Sequence, residues 1–420
     1  MKIAMFTNTY LPQVGGVAHS VESFRQAYRE RGHEVIVIAP EYAQQPCVED
    51  GVMRIPALQN FNGSDFSVVL PVPAGLRRAL DDFQPEVIHS HHPYLIGNTA
   101  LRQAAERRLP IVFTHHTMYE HYTHYVPLDS PALRKFVIAL STRYANLCDA
   151  VVAPSKSIAV VLAERGVSVP ITVIPTGVKL SAFTSGDGSR LRRELCVPAT
   201  AFVVGHVGRL APEKNLVFLA RAVATFLRST SDGHFFVVGQ GESRHAMADI
   251  FREAGMPERI HFTGTLTGAQ LVDAYHAMDV FAFASLSETQ GLVLVEALAS
   301  GCPVVAIDAP GTREVVRDRY NGRLLQERDE AAFGAALQWV KDSLRRDKER
   351  LWCQSQASVL PFSIEACADR TLQLYMAVIA AERHEIDLEA AGWSAILRSM
   401  RVNWELWANS ISALTEALKP

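Results

Sequence analysis

The stretch SLSETQGLVLVEALASG, Ser285–Gly301, decides how the chain is read. It follows DVFAFA at 279–284, an apolar run that reads as a buried strand. It precedes PVVAI at 303–307, which reads as another. Leu292 to Ser300 is apolar enough for a helix laid on a sheet, and Gly301 is a natural stop just past its end. The unit is therefore strand, loop, helix, strand, and it carries two carboxylates, Glu288 and Glu296. Glu296 interrupts the apolar helix, and a carboxylate on a buried face needs hydrogen-bond donors. The two hydroxyls of a ribose would serve. Glu288 lies in the loop at a strand's carboxyl end, where open α/β sheets bind ligands. Gly291 allows close backbone approach, and the helix N-terminus behind it can receive a phosphate. A plainer reading also fits, with Glu288 a first-turn partner of the helix dipole and Glu296 solvated.

The spacing from Glu288 to Glu296 resembles the E-x7-E motif of the retaining family 4 glycosyltransferases, which are built from two facing Rossmann-like domains (the GT-B architecture). The resemblance implies that Glu288 holds the donor sugar and Glu296 the nucleotide ribose. Thr289, Gln290, Gly291 and Leu292 would line the donor between them. SETQGL is closer still to the subgroup that glucosylates diacylglycerol, and the likeness runs to about Arg383.

Bulk properties narrow the alternatives. A length of 420 residues suggests two or three domains, and a hydrophobic fraction of 48% fills their cores without approaching a membrane protein. No run nears the ~20 apolar residues of a spanning helix. The start, MKIAMFTNTYLP, lacks a signal-peptide core, and the six cysteines include no C-x-x-C pair. A cytoplasmic protein with reduced thiols is expected. A net charge of −3 gives no electrostatic case for nucleic acid.

The amino-terminal half opens as strand (Lys2–Thr7), loop, helix (Val17–Arg31) and strand (Glu34–Ala39). Gly15 and Gly16 sit just ahead of the helix, where backbone N–H groups approach phosphate or sugar. A nicotinamide dinucleotide fold would open similarly, with Glu41 as its ribose acid, but the full G-x-G-x-x-G is absent. In the family the glycine loop faces the donor diphosphate and the acceptor. Histidines then crowd two strand ends: His89, His91 and His92 in PEVIHSHHP, and His115, His116, His121 and His124 after IVFT. A zinc site is one reading; no H-E-x-x-H and no thiolate cluster accompany it. The family resemblance instead makes His116 the donor-sugar histidine, with His115 where a Tyr is usual. It makes Tyr119, Glu120, Tyr122, His124 and Tyr125 the acceptor pocket. An aromatic loop packed on its own domain explains those five residues as well. Leu128–Leu147 reads as a helix carrying Arg134, Lys135 and Arg143 among apolar residues. In lipid glycosyltransferases such a surface rests on the anionic membrane, although acids and bases balance over 1–178 and a solvated face fits too.

After a strand at Ile171–Ile174, PTGVKLSAFTSGDGS has turn composition, and Thr184–Ser189 reads as a linker. V-I-P-x-G-V marks the family's crossover between halves. The chain restarts with a strand at Phe202–Val207, then GRLAPEKN, then a helix from Leu216. Arg209 and Lys214 thus stand before a helix N-terminus whose dipole opposes them, unless an anion lies between. In the family these two cations neutralise the donor diphosphate, Gly241 follows the next strand end, and Gly264 lies near the nucleobase. DAPGTREVV occupies the place of a G-G-x-x-E-x-V turn whose glycines are largely replaced, and no role is assigned to it. A last family-like helix begins at Phe362-Ser363. Beyond it, Trp393, Leu397, Met400, Trp404, Trp407, Ile411, Leu414 and Leu418 form one helical stripe.

The expectation is a GT-B protein. Residues 1–180, with 363–383 returning, form the acceptor domain; 181–362 form the donor domain; 385–420 are an amphipathic helical extension. The chemistry expected is transfer of a hexose from a UDP-sugar to a lipid or glycan acceptor. His116, Arg209, Lys214 and Glu288 would be central, with no metal, since no D-x-D occurs. The enzyme would be cytoplasmic, with a peripheral contact on the inner membrane surface. A nucleotide-sugar epimerase of the same fold, or a non-catalytic sugar sensor, stands as the alternative from another class.

Overall fold

The computed structural model describes residues 1–381 other than 14, 43, 47–48, 59–67, 70–73, 121–129 and 287. The stripe in 385–420 and the candidates Tyr122, His124 and Tyr125 lie outside the described residues. The first half contains β1 (Lys2–Phe6), β2 (Glu34–Pro40), β3 (Val52–Ile55), the short pair β4 (Ala57–Leu58) and β5 (Val68–Val69), β6 (Val87–Ser90), β7 (Ile111–Thr114), β8 (Ala150–Ala153) and β9 (Ile171–Val173). Its helices are α1 (Gly16–Glu30), α2 (Ala74–Phe83), α3 (Ile96–Arg107), α4 (Pro131–Ala145) and α5 (Lys156–Glu164). The second half contains β10 (Phe202–Val207), β11 (Gly233–Val238), β12 (Ile260–Gly264), β13 (Val280–Phe283), β14 (Val304–Ile307) and β15 (Gly322–Leu325). Around them run α6 (Gly188–Glu194), α7 (Leu216–Arg228), α8 (Ser243–Glu253), α9 (Gly268–Ala277), α10 (Leu292–Ala299) and α11 (Glu330–Ser358). Finally α12 (Ile364–Ala380) returns to the first domain.

Both large sheets are parallel, in the orders β3-β2-β1-β6-β7-β8-β9 and β12-β11-β10-β13-β14-β15. Parallel strands are covered on both faces, so they read as continuous apolar runs. FVVGHV of β10 is buried at every residue. Its alternation still sorts the side chains: Phe202 and Val204 pack toward α7 and α11, Val203 and Val207 toward α9 and α10. Each sheet reverses its winding once, between β1 and β6 and between β10 and β13. Such switch points leave a crevice at the strands' carboxyl ends.

Two segments cross between domains, and they pair. The Val178 N–H donates to the Phe362 carbonyl and the Ile364 N–H to the Val178 carbonyl, each at 2.9 Å. A Cβ on Gly177 would lie 2.5 Å from the Ile364 Cα, so only glycine lets the crossings touch. α12 then packs on α1, with Arg31 bonded to Asp369 at 2.6 Å. Thr184–Asp187 is exposed coil leading into α6, and it is anchored. Gly186 and Gly188 press on His276 of α9, and Asp187 caps α6 while its own N–H donates to Asp273 at 2.7 Å. Glycine there serves close packing, and composition alone does not separate that from a flexible connection.

Candidate active site

At the second switch point β10 and β13 end side by side. β10 runs into Arg209 and a tight turn, Pro212–Lys214, which delivers Asn215 as the N-cap of α7. The Asn215 amide donates to the Ala284 carbonyl at 3.3 Å and ties this turn to the end of β13. Beyond β13, Gly291 takes a φ of 71° to start α10, a left-handed conformation that glycine adopts without strain. The two turns bring Lys214 and Glu288 together, with Nζ donating to Oε1 and each side chain 18% exposed. Lys214 stands where a helix dipole opposes a cation, and Glu288 supplies the counter-charge. Arg209, more exposed, is held by Glu213 at 2.6 Å. Each cation of this cradle is therefore paired with a carboxylate.

Glu296, half-buried on α10, receives the Tyr275 hydroxyl of α9 at 2.7 Å. Burial raises its pKa above the ordinary carboxylate range, and this hydrogen bond partly offsets the shift. The donor that Glu296 demands is thus a buried tyrosine that sequence spacing does not reveal. Leu292 opens α10 beside the second core. Gly241 lies against the Leu210 carbonyl, 2.3 Å from where a Cβ would sit, and the Gly264 carbonyl accepts the Gly239 N–H at 2.8 Å. Gly241 thus shapes backbone next to Arg209, while Gly264 joins the ends of β12 and β11. The missed residue here is His206 of β10, 1% exposed and stacked against Phe281 and Phe283. Its Nδ1 bonds the Ala282 carbonyl at 3.1 Å, so Nδ1 carries the proton. Its buried Nε2 has no hydrogen-bond partner among the described residues. A polar residue in an otherwise apolar strand was the signal for it.

In the first domain, Gly15 caps α1 and Gly16 begins it, and among the described residues, chain neighbours and the helix's own backbone aside, no atom lies within 4 Å of a Cβ built on either. Behind this helix start the histidines form a packed cluster. His89, on β6, bonds Tyr375 of α12 at 2.5 Å and Thr114 at 2.7 Å. The Asn8 N–H donates to Nδ1 of His92 at 3.0 Å. His91 Nδ1 lies 2.9 Å from His116 Nε2, so the two rings share one proton. Burial, seconded by neighbouring imidazoles, drives the pKa of His91 and of His116 well below the usual value. His116 therefore acts as a neutral hydrogen-bonding group. A small cavity, large enough for about one water, opens among His89, His91, Thr114, His116 and Thr371. Among the described residues no three acids, histidines or cysteines converge as metal ligands. His115 is buried between Phe113 and Tyr119, and neither ring nitrogen has a hydrogen-bond partner among the described residues. Tyr119 packs on Tyr94, and Glu120 pairs with Arg165 at 2.5 Å. These two acceptor candidates are engaged within their own domain.

The domains meet at the site. The Thr289 hydroxyl donates to the His116 carbonyl at 3.0 Å. Gln290, 3% exposed, accepts the Thr176 N–H and returns its own amide to the Thr176 carbonyl at 2.8 Å. Two residues named for the donor thus direct their side chains across the boundary. Glu314, in the segment left without a role, accepts from the Ser157 N–H and hydroxyl, both at 2.9 Å, at the start of α5. An acidic residue three places after a tight turn was its only sequence signal.

Comparison with known proteins agrees with this geometry. The family description "Glycosyltransferase Family 4" matches residues 14–182, and "Glycosyl transferases group 1" matches 201–342. An alpha-monoglucosyldiacylglycerol synthase of Streptococcus pneumoniae is 28% identical over 400 residues, covering 92% of this chain and 88% of that one. A GDP-mannose-dependent alpha-mannosyltransferase of Mycobacterium tuberculosis is 30% identical over 391 residues, covering 90% and 97%. The crystal structure of Anabaena HepE in complex with UDP-glucose superimposes with a TM-score of 0.70 at 20% identity, over 90% of this chain and all of that one. The two facing parallel-sheet domains and the near full-length relatives together make this chain a glycosyltransferase of family 4, with the GT-B fold.

Proposed function

We propose that the protein moves a hexose, glucose first, from UDP-sugar to a lipid acceptor such as diacylglycerol, with retention and without a metal. The observation that carries this is the Lys214–Glu288 pair at the second switch point, joined through Thr289 to His116 of the other domain. Lys214 and Arg209 would take the diphosphate leaving group in a preorganised electrostatic site. Glu288 and His116 would hold the sugar, and Glu296 the ribose. The leaving phosphate would help deprotonate the acceptor on the same face. Closure of the two domains would keep water from the donor. The diacylglycerol synthase relative supports the lipid acceptor. So does α4, which leaves Phe136 47% exposed beside exposed Arg134 and Lys135. Such a face suits peripheral contact with an anionic bilayer. No described helix is long and apolar enough to cross a membrane.

The test is nucleotide release from UDP-glucose, UDP-galactose and GDP-mannose, with and without diacylglycerol vesicles, in EDTA. Turnover with UDP-glucose only when vesicles are present is expected. Turnover restricted to GDP-mannose would instead favour mannosyl transfer, the second reading, to which the mannosyltransferase relatives point. Release that needs no acceptor would point to a hydrolase, and conversion to an intact UDP-epimer without net release would point to an epimerase.

Glu288→Gln should separate the two sides of the site. Transfer is expected to fall about 10²-fold, because a sugar-holding carboxylate is lost. Binding of free UDP should hold or tighten, because Lys214 no longer has a carboxylate to exchange. Titration calorimetry with UDP beside turnover reads both. Equal losses in the two would move Glu288 off the sugar.

A further inference from the structure

The loop that carries Glu288 is bonded to the other domain through its next two residues. Thr289 donates to the carbonyl of His116, not to its ring. Gln290 makes a two-way clip with the backbone of Thr176, N–H to Oε1 and Nε2–H to carbonyl. Thr176 immediately precedes Gly177 and Val178, the segment that crosses between domains and pairs with the returning chain at Phe362 and Ile364. From behind, Gly311 presses on the same loop: a Cβ there would lie 2.7 Å from the Gln290 nitrogen and 2.9 Å from the Glu288 carbonyl oxygen. Three residues on, Glu314 grips the start of α5. Consecutive residues 288, 289 and 290 are thus assigned to the cradle, to the histidine strand end and to the crossing.

We propose that Thr289 and Gln290 are positioning residues that set the register of the two domains across the donor sugar. Thr289 fixes the distance between the Glu288 carboxylate and the His116 imidazole, and Gln290 transmits the placement of the donor loop to the crossing segment. This rests on the reading of Glu288 and His116 as the sugar's two holders. Gln290 is an apt clip because its amide offers a donor and an acceptor on one planar group, matching a peptide's carbonyl and N–H. Buried as it is, neither half competes with water. A glutamate there would turn an acceptor, in place of the Nε2–H donor, on the Thr176 carbonyl, and that repulsion would open the clip.

The experiment compares Thr289→Val, Thr289→Ser, Gln290→Ala and Gln290→Glu with the wild type. Hydrogen exchange over 170–180 needs no substrate. The Thr176 amide should exchange faster in both Gln290 variants. Turnover is then measured with whichever donor the wild type uses. Thr289→Val, which keeps the shape and loses the hydroxyl, should lower kcat about tenfold with KM for the donor little changed, and Thr289→Ser should recover most of it. Gln290→Ala should lower kcat about 10²-fold. Unchanged exchange at Thr176, or equal turnover in the valine and serine variants, would overturn the proposal. A wild type silent with every donor would sink the substrate reading instead, and exchange at Thr176 would still decide for or against the clip.

Discussion

Replacing Lys214 by alanine is expected to lower turnover about 10²–10³-fold, the usual cost of removing one preorganised charge partner from a developing anion. In this site the loss has two parts. The first is direct: the leaving diphosphate loses a cation held before the N-terminus of α7. The second follows from the ion pair. Glu288 is 18% exposed and bonded to Lys214. Without the lysine its carboxylate faces an incoming diphosphate with no cation on it, and like charges repel in a partly desolvated cleft. Donor binding should therefore weaken along with catalysis. The double variant Lys214→Ala/Glu288→Gln separates the parts. Affinity for UDP should recover partly, because the repulsion is gone, while turnover stays low. Circular dichroism and thermal melting should match the wild type, since neither residue packs a core. Turnover near the wild-type rate in Lys214→Ala would remove the lysine from the leaving-group role.

The sequence makes one side of this site legible because its residues are neighbours in the chain. DVFAFA, Gly291 and the apolar helix place Glu288 and Glu296 on one unit, and GRLAPEKN places Arg209 and Lys214 before a helix. The glycosyltransferase resemblance rests on those local motifs, and β10, β13, α7 and α10 begin within a residue of their expected starts. What escapes is long-range pairing. Nothing around Gly177 says that Ile364 will lie against it, and nothing in SETQG says that Gln290 will meet Thr176. Tyr275 is invisible as the partner of Glu296 because α9 is one face among several that an apolar helix can meet. The histidines show the same limit. Seven in two strand-end clusters invite a metal, yet the described five are sorted by burial and by hydroxyl, amide and imidazole partners. In Thr184–Ser189 the anchoring is what escapes: glycines set against α9 have the composition of glycines in a loose connection.

Acid should unfold the protein well before its carboxylates protonate. Burial holds the pKa of His89 and His92 near 3, and of His115 and His206 near 4. In the unfolded chain each returns to about 6.5. Above that value neither state binds the proton and the four contribute no pH dependence. Below it the unfolded chain takes up protons that the folded one refuses, so stability falls with pH, by about 1.4 kcal/mol per unit for each histidine. At pH 5 the four together would remove several kcal/mol, a large share of the stability of a typical domain. The hydrogen bonds agree with the sign. A backbone N–H only donates, so His92 Nδ1 must stay unprotonated to accept from Asn8, and charging it breaks that bond. Three of the four lie in the first domain, which should therefore fail first, exposing its strand ends while the second sheet persists. Urea titrations at pH 7.5 and 5.5, followed by hydrogen exchange resolved by domain, would read this. The midpoint for the first domain should drop steeply. His92→Asn, whose side-chain oxygen can accept the same amide without titrating, should flatten the slope by about 1.4 kcal/mol per unit. A midpoint that does not move between the two pH values would mean that these imidazoles already carry their protons in the folded state.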